Sequence, residues 1–247
     1  MCGQTYTATK LNSVPLQTER FVGVDNFQNS YYISNNTFYK KSDSNTIEFT
    51  ALNLGEITSV DLINPLKITV FYKDANTAVI LDNTLAEIRR INFSDIEEFR
   101  NVSHATTAGD RRLWIYNTDT QRLEIFNYNQ NKVVTEFPPT SQPIKELISN
   151  FNVSWIKTAS AIDSYTIYGS FINSYPIKDE ITSIMEYQDT IFAIIEEQLY
   201  YRSLGENEFL KIEIPEITLK QFSIKDEILY IYNGQNLTSF RLNKSKE

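Results

Sequence analysis

The chain spells one short pattern six times. In each unit an apolar run of three or four residues is followed, after a turn, by a second such run. Tyr31-Tyr32-Ile33 is followed by Thr37-Phe38-Tyr39, Thr69-Val70-Phe71-Tyr72 by Val79-Ile80-Leu81, and Leu113-Trp114-Ile115-Tyr116 by Leu123-Glu124-Ile125-Phe126. Val153-Ser154-Trp155-Ile156, Ile191-Phe192-Ala193-Ile194 and Leu229-Tyr230-Ile231-Tyr232 open three further pairs. With Ile33, Val70, Ile115, Ile156, Ile194 and Ile231 as markers, the steps are 37, 45, 41, 38 and 37 residues. A period near ~40 residues with about four strands per unit is the mark of a β-propeller blade. A leucine-rich repeat would be shorter, and a TPR or HEAT array would show helical periodicity.

Residues 55–93 show one unit whole. Strands are expected at 57–62, 68–72, 78–81 and 86–91, separated by the turn residues Asn64-Pro65, Asp74-Ala75-Asn76 and Asp82-Asn83. The 15 Tyr and 15 Phe against only 7 Gly and 7 Pro favour pleated, half-buried surfaces. The fold expected is therefore all-β: a single six-bladed β-propeller over residues 5–242, with about four antiparallel strands per blade. The sixth unit supplies strands at 218–224, 228–232 and 237–242 and lacks a fourth. A segment at 6–11 or 14–17 precedes the first strand of unit one, at 20–24, and is expected to close the last blade. Residues 243–247 are left as a charged tail. Phe137-Pro138-Pro139 through Pro143 cannot be an interior strand and reads as a long connection between units three and four. Residues 147–151 then read as an inner strand, with turns at Tyr168-Gly169-Ser170 and Glu196-Glu197.

A net charge of −8, with basic residues only in short clusters, excludes a phosphate-neutralising stripe, so no nucleic-acid partner is expected. No apolar run approaches the ~20 residues of a membrane span. The single cysteine, Cys2, excludes an intrachain disulfide. Met1-Cys2-Gly3-Gln4 precedes any strand pattern and has three readings: an ordinary cytoplasmic start, the remnant of a cleaved signal peptide, or a lipidated Cys2 that anchors the chain. The last two place the protein in the periplasm or at the outer membrane.

The pattern Leu54-Gly55-x-Ile57-Thr58-Ser59-Val60-Asp61, then Asn64-Pro65-Leu66-Lys67-Ile68, Phe71-Tyr72 and Leu81-Asp82-Asn83, resembles a poorly characterised family of cell-envelope propeller proteins of Bacteroidota. The match is specific over residues 54–83 and fainter at Val22–Asn26 and Leu113-Trp114-Ile115. The resemblance implies an envelope protein and brings no catalytic residues.

Chemistry-bearing residues are few. His104, the lone histidine, lies on or just after the first strand of unit three, and a lone strand histidine is expected to be structural. Asp61, Asn101 and Asn152 lie near inner strands, where some propeller hydrolases hold a cation; channel lining is the plainer reading, and no metal or cofactor is expected. Trp114 and Trp155 occupy equivalent places in adjacent units, which argues for packing between blades. Two turns are candidates for partner binding. Asp110-Arg111-Arg112 presents two guanidinium groups suited to carboxylates, against a solvated loop balanced by Asp110. In Asn64-Pro65-Leu66-Lys67, Leu66 is expected to cap the blade core, the alternative being an exposed knob.

These readings lead to a non-catalytic, protein-binding scaffold: an accessory subunit of a bacterial outer-membrane assembly, secretion or gliding complex. Its partners would be envelope proteins, and no stable homo-oligomer is expected. The alternatives are a metal-dependent hydrolase or lactonase using the propeller channel, and a carbohydrate-binding propeller.

Overall fold

The structure, a computed structural model, describes residues 4–246 apart from Asp110, Leu204, Asn207 and Glu216. Cys2 and its neighbours Met1 and Gly3, on which both export readings rest, lie outside the described residues. Every regular element among those described is a β-strand. After β1 (Gln4–Pro15), blade one comprises β2 (Arg20–Val24), β3 (Ser30–Ser34), β4 (Thr37–Lys41) and β5 (Thr46–Phe49). Blade two comprises β6 (Ser59–Asp61), β7 (Ile68–Tyr72), β8 (Thr77–Leu81) and β9 (Glu87–Asn92). Blade three has β10 (Val102–Thr107), β11 (Arg112–Asn117), β12 (Arg122–Asn127) and β13 (Lys132–Pro139). Blade four has β14 (Glu146–Ser149), β15 (Val153–Lys157), β16 (Ala161–Thr166) and β17 (Phe171–Pro176). Blade five follows with β18 (Ile181–Tyr187), β19 (Thr190–Ile195), β20 (Gln198–Ser203) and β21 (Leu210–Lys211). Last come β22 (Gln221–Lys225), β23 (Ile228–Tyr232) and β24 (Asn236–Lys246).

Five sheets pair their strands in chain order; the sixth runs β1-β24-β23-β22. All are antiparallel, and together they are the blades of a six-bladed β-propeller. The chain divides into two compact units, Met1–Glu48 with Asp179–Glu247, and Phe49–Lys178. Blades one, five and six belong to the first, and blades two, three and four to the second. No helix of the described residues is long and apolar enough to cross a membrane.

In the second unit, β7 and β8 are buried along their whole length, which is why they read as unbroken apolar runs rather than alternating ones. One face of blade two meets blade three through Phe71, Ile80, Phe93, Leu113, Ile115 and Phe126. Blade three turns Trp114, Ile125 and Phe137 toward Ile156 and Ile167 of blade four. Each fully buried large apolar side chain contributes about 1.5–3 kcal/mol. Trp114 is fully buried with its ring 5.6 Å from Phe137, in keeping with the packing role expected of it, and Trp155 is also buried. The outer strand β9 exposes all but its last two residues, as an edge does.

In the first unit, β1 pairs with β24 from Gln4↔Lys246 to Pro15↔Asn236. The N-terminal strand thus closes the last blade, as expected. Two details differ. The segments at 6–11 and 14–17 are one strand, interrupted by a register shift between Lys10 and Asn12. Residues Asn243 to Lys246 are strand rather than tail, because β1 is long enough to pair with them. A third difference lies in blade three. Phe137, Pro138 and Pro139 end β13 instead of starting a connection. β13 is the outermost strand of its sheet, paired on one side alone, and prolines are tolerated at such an edge. The inner strand expected at 147–151 is β14, two residues earlier at its end.

Four hairpins of the first unit use two-residue turns with both residues at positive φ: Asn35-Asn36, Gln188-Asp189, Glu196-Glu197 and Asp226-Glu227. That is the handedness that matches strand twist. It is reached here without glycine.

Candidate functional site

In the second unit, Asp61 ends β6, and its carboxylate organises the turn that leads into β7. One oxygen accepts the Ile63 amide at 2.7 Å. The other accepts the Thr107 amide at 2.6 Å and the Thr106 hydroxyl at 2.8 Å, so the inner strand of blade two is tied to that of blade three. Beyond it, the Asn64 side-chain oxygen accepts the Leu66 amide at 3.0 Å, and the Lys67 amide donates to the Asn64 carbonyl at 2.9 Å. Braced in this way, the turn sends Leu66 outward: it is 61% exposed. The expectation that Leu66 caps the core is therefore corrected, because the side-chain-to-backbone bond at Asn64 sets the turn's direction. Pro65 is half-buried.

The same device recurs at the turn between first and second strands in two other blades. In blade one, the Asp25 carboxylate accepts the Phe27 and Asn29 amides at 2.9 and 3.0 Å and the Tyr31 hydroxyl at 2.8 Å. In blade four, the Asn150 side chain accepts the Asn152 and Val153 amides at 3.0 and 2.9 Å. Each braced turn leaves an apolar tip in solvent: Phe27 is 77% exposed and Phe151 42%.

A cavity of about 330 Å³ opens beside the Asn64–Lys67 turn. Among the described residues, its charged lining residues are Lys67 and Arg112, the latter at the start of β11. Asn64 adds an amide, and Thr69 and Thr107 add hydroxyls that lie 3.1 Å apart. Ile80, Leu113, Tyr128 and Phe151 supply the apolar walls. Gly109, at φ +54°, completes the lining, and a Cβ placed there would stand 3.1 Å from Arg112 Nη2 and 3.4 Å from Ile167 Cδ1. The bare glycine thus leaves room for the guanidinium.

Two turns that the sequence singled out separately, Asn64-Pro65-Leu66-Lys67 and Asp110-Arg111-Arg112, therefore contribute to one cleft. Arg111 is exposed at φ +56° and is not part of the lining; Asp110 lies outside the described residues. Thr69, Thr107, Tyr128 and Phe151 went unnoticed in the sequence. Phe151 had a signal, since its turn is equivalent by repeat to the Leu66 turn. The other three had none outside the fold.

The remaining candidates are held apart or internally satisfied. Asp61 bonds at the end of β10, whereas Asn101 precedes its start and donates to Asp119 at 3.0 Å. Six residues of strand separate the two places by about 20 Å at ~3.3 Å per residue, too far for a shared cation. Asn152 is exposed. Among the described residues, no three of His, Cys, Asp and Glu gather as metal ligands. The buried Glu124 carboxylate is pushed up by burial and held by Asn117 at 3.2 Å and Arg100 at 3.0 Å, an ion pair that staples the entry of β10 to β12.

His104 lies on β10 with Nδ1 2.9 Å from Ser103 Oγ and its ring edge-on to Tyr116. Burial pushes its pKa below the ordinary 6.5; a hydrogen bond with the Lys145 backbone pulls upward, and the Lys73 charge pushes down. The unfolded chain therefore takes up this proton first as the pH falls. Stability is unaffected by His104 above about pH 6.5 and is lost between there and the folded value. A His104→Gln variant is expected to flatten the stability-versus-pH curve below pH 6.5, measured by urea unfolding at a series of pH values. An unchanged slope would show that the ring is not buried in its neutral form.

No known family and no curated protein matches the sequence. Among solved structures, a streptogramin B lyase superposes with a TM-score of 0.62 at 13% identity, over 97% of this chain and 98% of that one. Virginiamycin B lyase from Staphylococcus aureus gives 0.65 at 10% identity, over 98% and 100%. BamB from Moraxella catarrhalis gives 0.51 at 7% identity, over 95% and 80%. These likenesses agree with a β-propeller fold, whose six blades are given by the six four-stranded sheets of this chain. At such identities they carry the fold alone, and a fold shared by lyases and by BamB does not decide between catalysis and binding.

Proposed function

We propose that this protein is a non-catalytic, protein-binding scaffold of the bacterial envelope: an accessory subunit of an outer-membrane assembly, secretion or gliding complex, acting in the periplasm or at the outer membrane. The observation that carries the binding role is the set of braced turns with apolar tips at Phe27, Leu66 and Phe151. Solvent-exposed apolar side chains cost nothing to desolvate on docking and gain about 25 cal/mol per Å² buried. Holding them on hydrogen-bonded turns removes much of the ordering cost of binding. The envelope location is supported by the resemblance over residues 54–83. Hub-like loops on a rigid scaffold suit a subunit that links other proteins.

The test is affinity purification of the tagged chain from mildly extracted envelope membranes, beside Leu66→Asp and Phe27→Asp variants. A defined set of co-purifying envelope proteins is expected, reduced about tenfold or more by at least one substitution, since a charge at an apolar contact costs over ~1.4 kcal/mol. Purification without stable partners would reject the scaffold reading. An unchanged set from both variants would reject the turns as the docking points.

A further inference from the structure

We propose that the cleft beside the Asn64–Lys67 turn is a receptor for a peptide C-terminus: the terminal carboxylate of a partner segment that ends in a large apolar or aromatic residue. This rests on the protein-binding reading above and names the partner's chemistry at one site.

Charge is the first argument. The chain carries a net −8, yet among the described residues the charged ones lining this cleft are one lysine and one arginine. A concentration of positive charge in an acidic molecule selects an anionic ligand. The guanidinium of Arg112 offers paired N–H donors that match the two oxygens of a carboxylate, and Lys67 supplies a second charge. The Asn64 amide and the hydroxyls of Thr69 and Thr107 add neutral polar partners of the kind that fix orientation. Thr69 and Thr107 are buried, so this polar floor is set by the blades rather than by mobile loops.

The apolar side of the cleft supplies the second argument. Ile80 and Leu113 are almost fully buried, Tyr128 is buried, and Phe151 stands 42% exposed at the rim. A free inorganic anion would gain nothing from these walls, whereas an apolar side chain attached to the carboxylate would fill them. At about 330 Å³ the cavity is at the small end of ligand sites, which run from about 300 to 1,000 Å³. That space accepts a terminal residue and part of its neighbour. Gly109 is the third feature: it leaves the guanidinium of Arg112 unobstructed where any side chain would crowd it.

The experiment is a titration of the ¹⁵N-labelled full chain with N-acetyl-Ala-Phe as the free acid, with its C-terminal amide, and with 3-phenylpropionate. The free acid is expected to saturate shifts at the Lys67, Gly109 and Arg112 amides and to bind about tenfold or more tighter than the amide. Arg112→Gln is expected to weaken the free acid about tenfold or more, as loss of a charge-assisted pair does. Phe151→Ala, which keeps the charges, should weaken it several-fold, roughly the worth of one partly buried ring. Equal binding of acid and amide, or no saturation by the acid, overturns the proposal. So does 3-phenylpropionate binding as tightly as the dipeptide, which would make the ligand a small free carboxylate, and so does displacement by equimolar inorganic phosphate. Partner capture through Leu66 and Phe27 is read separately. Loss of dipeptide binding with capture intact removes the cleft assignment alone.

Discussion

Replacing Tyr6 with alanine is expected to lower the unfolding free energy by about 3–5 kcal/mol, the cost of truncating a large buried aromatic. Among the described side chains of β1, Tyr6 is the one large side chain that is buried, at 4% exposure. Its ring stands edge-on to Phe192 at 5.3 Å and to Tyr201 at 4.7 Å, and it joins the core that also holds Leu199, Leu229 and Phe240. The strand that closes the last blade is therefore held by its backbone ladder with β24 and by this ring. For a chain of this size the loss corresponds to a fall in Tm of roughly 6–20 °C. Thermal unfolding and urea titration measure it. Leu11→Ala is the control: Leu11 sits on the same strand, at the register shift and 49% exposed, and should cost under about 0.5 kcal/mol. If Tyr6→Ala costs no more than Leu11→Ala, the closing strand does not depend on its packing.

Asp61→Ala carries the second large effect. It deletes the acceptor of the Ile63 amide, the Thr107 amide and the Thr106 hydroxyl at once. The buried Thr106 hydroxyl can still turn to Ser149 Oγ at 3.1 Å, but the Thr107 and Ile63 amides lose their acceptor. Leaving them unmet is expected to cost about 2–4 kcal/mol. Asp61→Asn should recover only part of this, because its amide N–H would face one of the donors. The loss should also be local. Hydrogen exchange at the Thr107 and Lys67 amides is expected to accelerate in Asp61→Ala well beyond the change in global stability, while amides of β15 and β16 follow the global value. Uniform acceleration throughout would mean that Asp61 acts as generic core and does not brace the cleft.

Much of the blade pattern is legible along the chain because its causes are local. In residues 55–93 the second and third strands are placed to within a residue, since β7 and β8 are buried on both faces and must be apolar throughout. The turn at Glu196-Glu197 is equally visible, because it stands between two apolar runs. Its type is not, for two glutamates at positive φ are imposed by the flanking strands. Pro138 and Pro139 mislead in the opposite sense: proline bars an interior strand, and only the pairing order shows that β13 is an edge. The direction of Leu66 depends on one side-chain-to-backbone bond at Asn64, which residue identity permits without requiring.

The repeat, the all-β class and the need for a borrowed strand in the last blade were determined by the sequence alone, because period, alternation and turn residues act within a few positions of one another. The closing register of β1 on β24, the tie from Asp61 to Thr107 and the cleft that draws Asn64, Lys67, Arg112 and Phe151 together were decided by tertiary structure. Each depends on how neighbouring strands or blades are placed against each other. That placement follows from the packing of interblade cores such as Phe71, Phe93 and Phe126, whose mutual fit no single stretch of chain encodes.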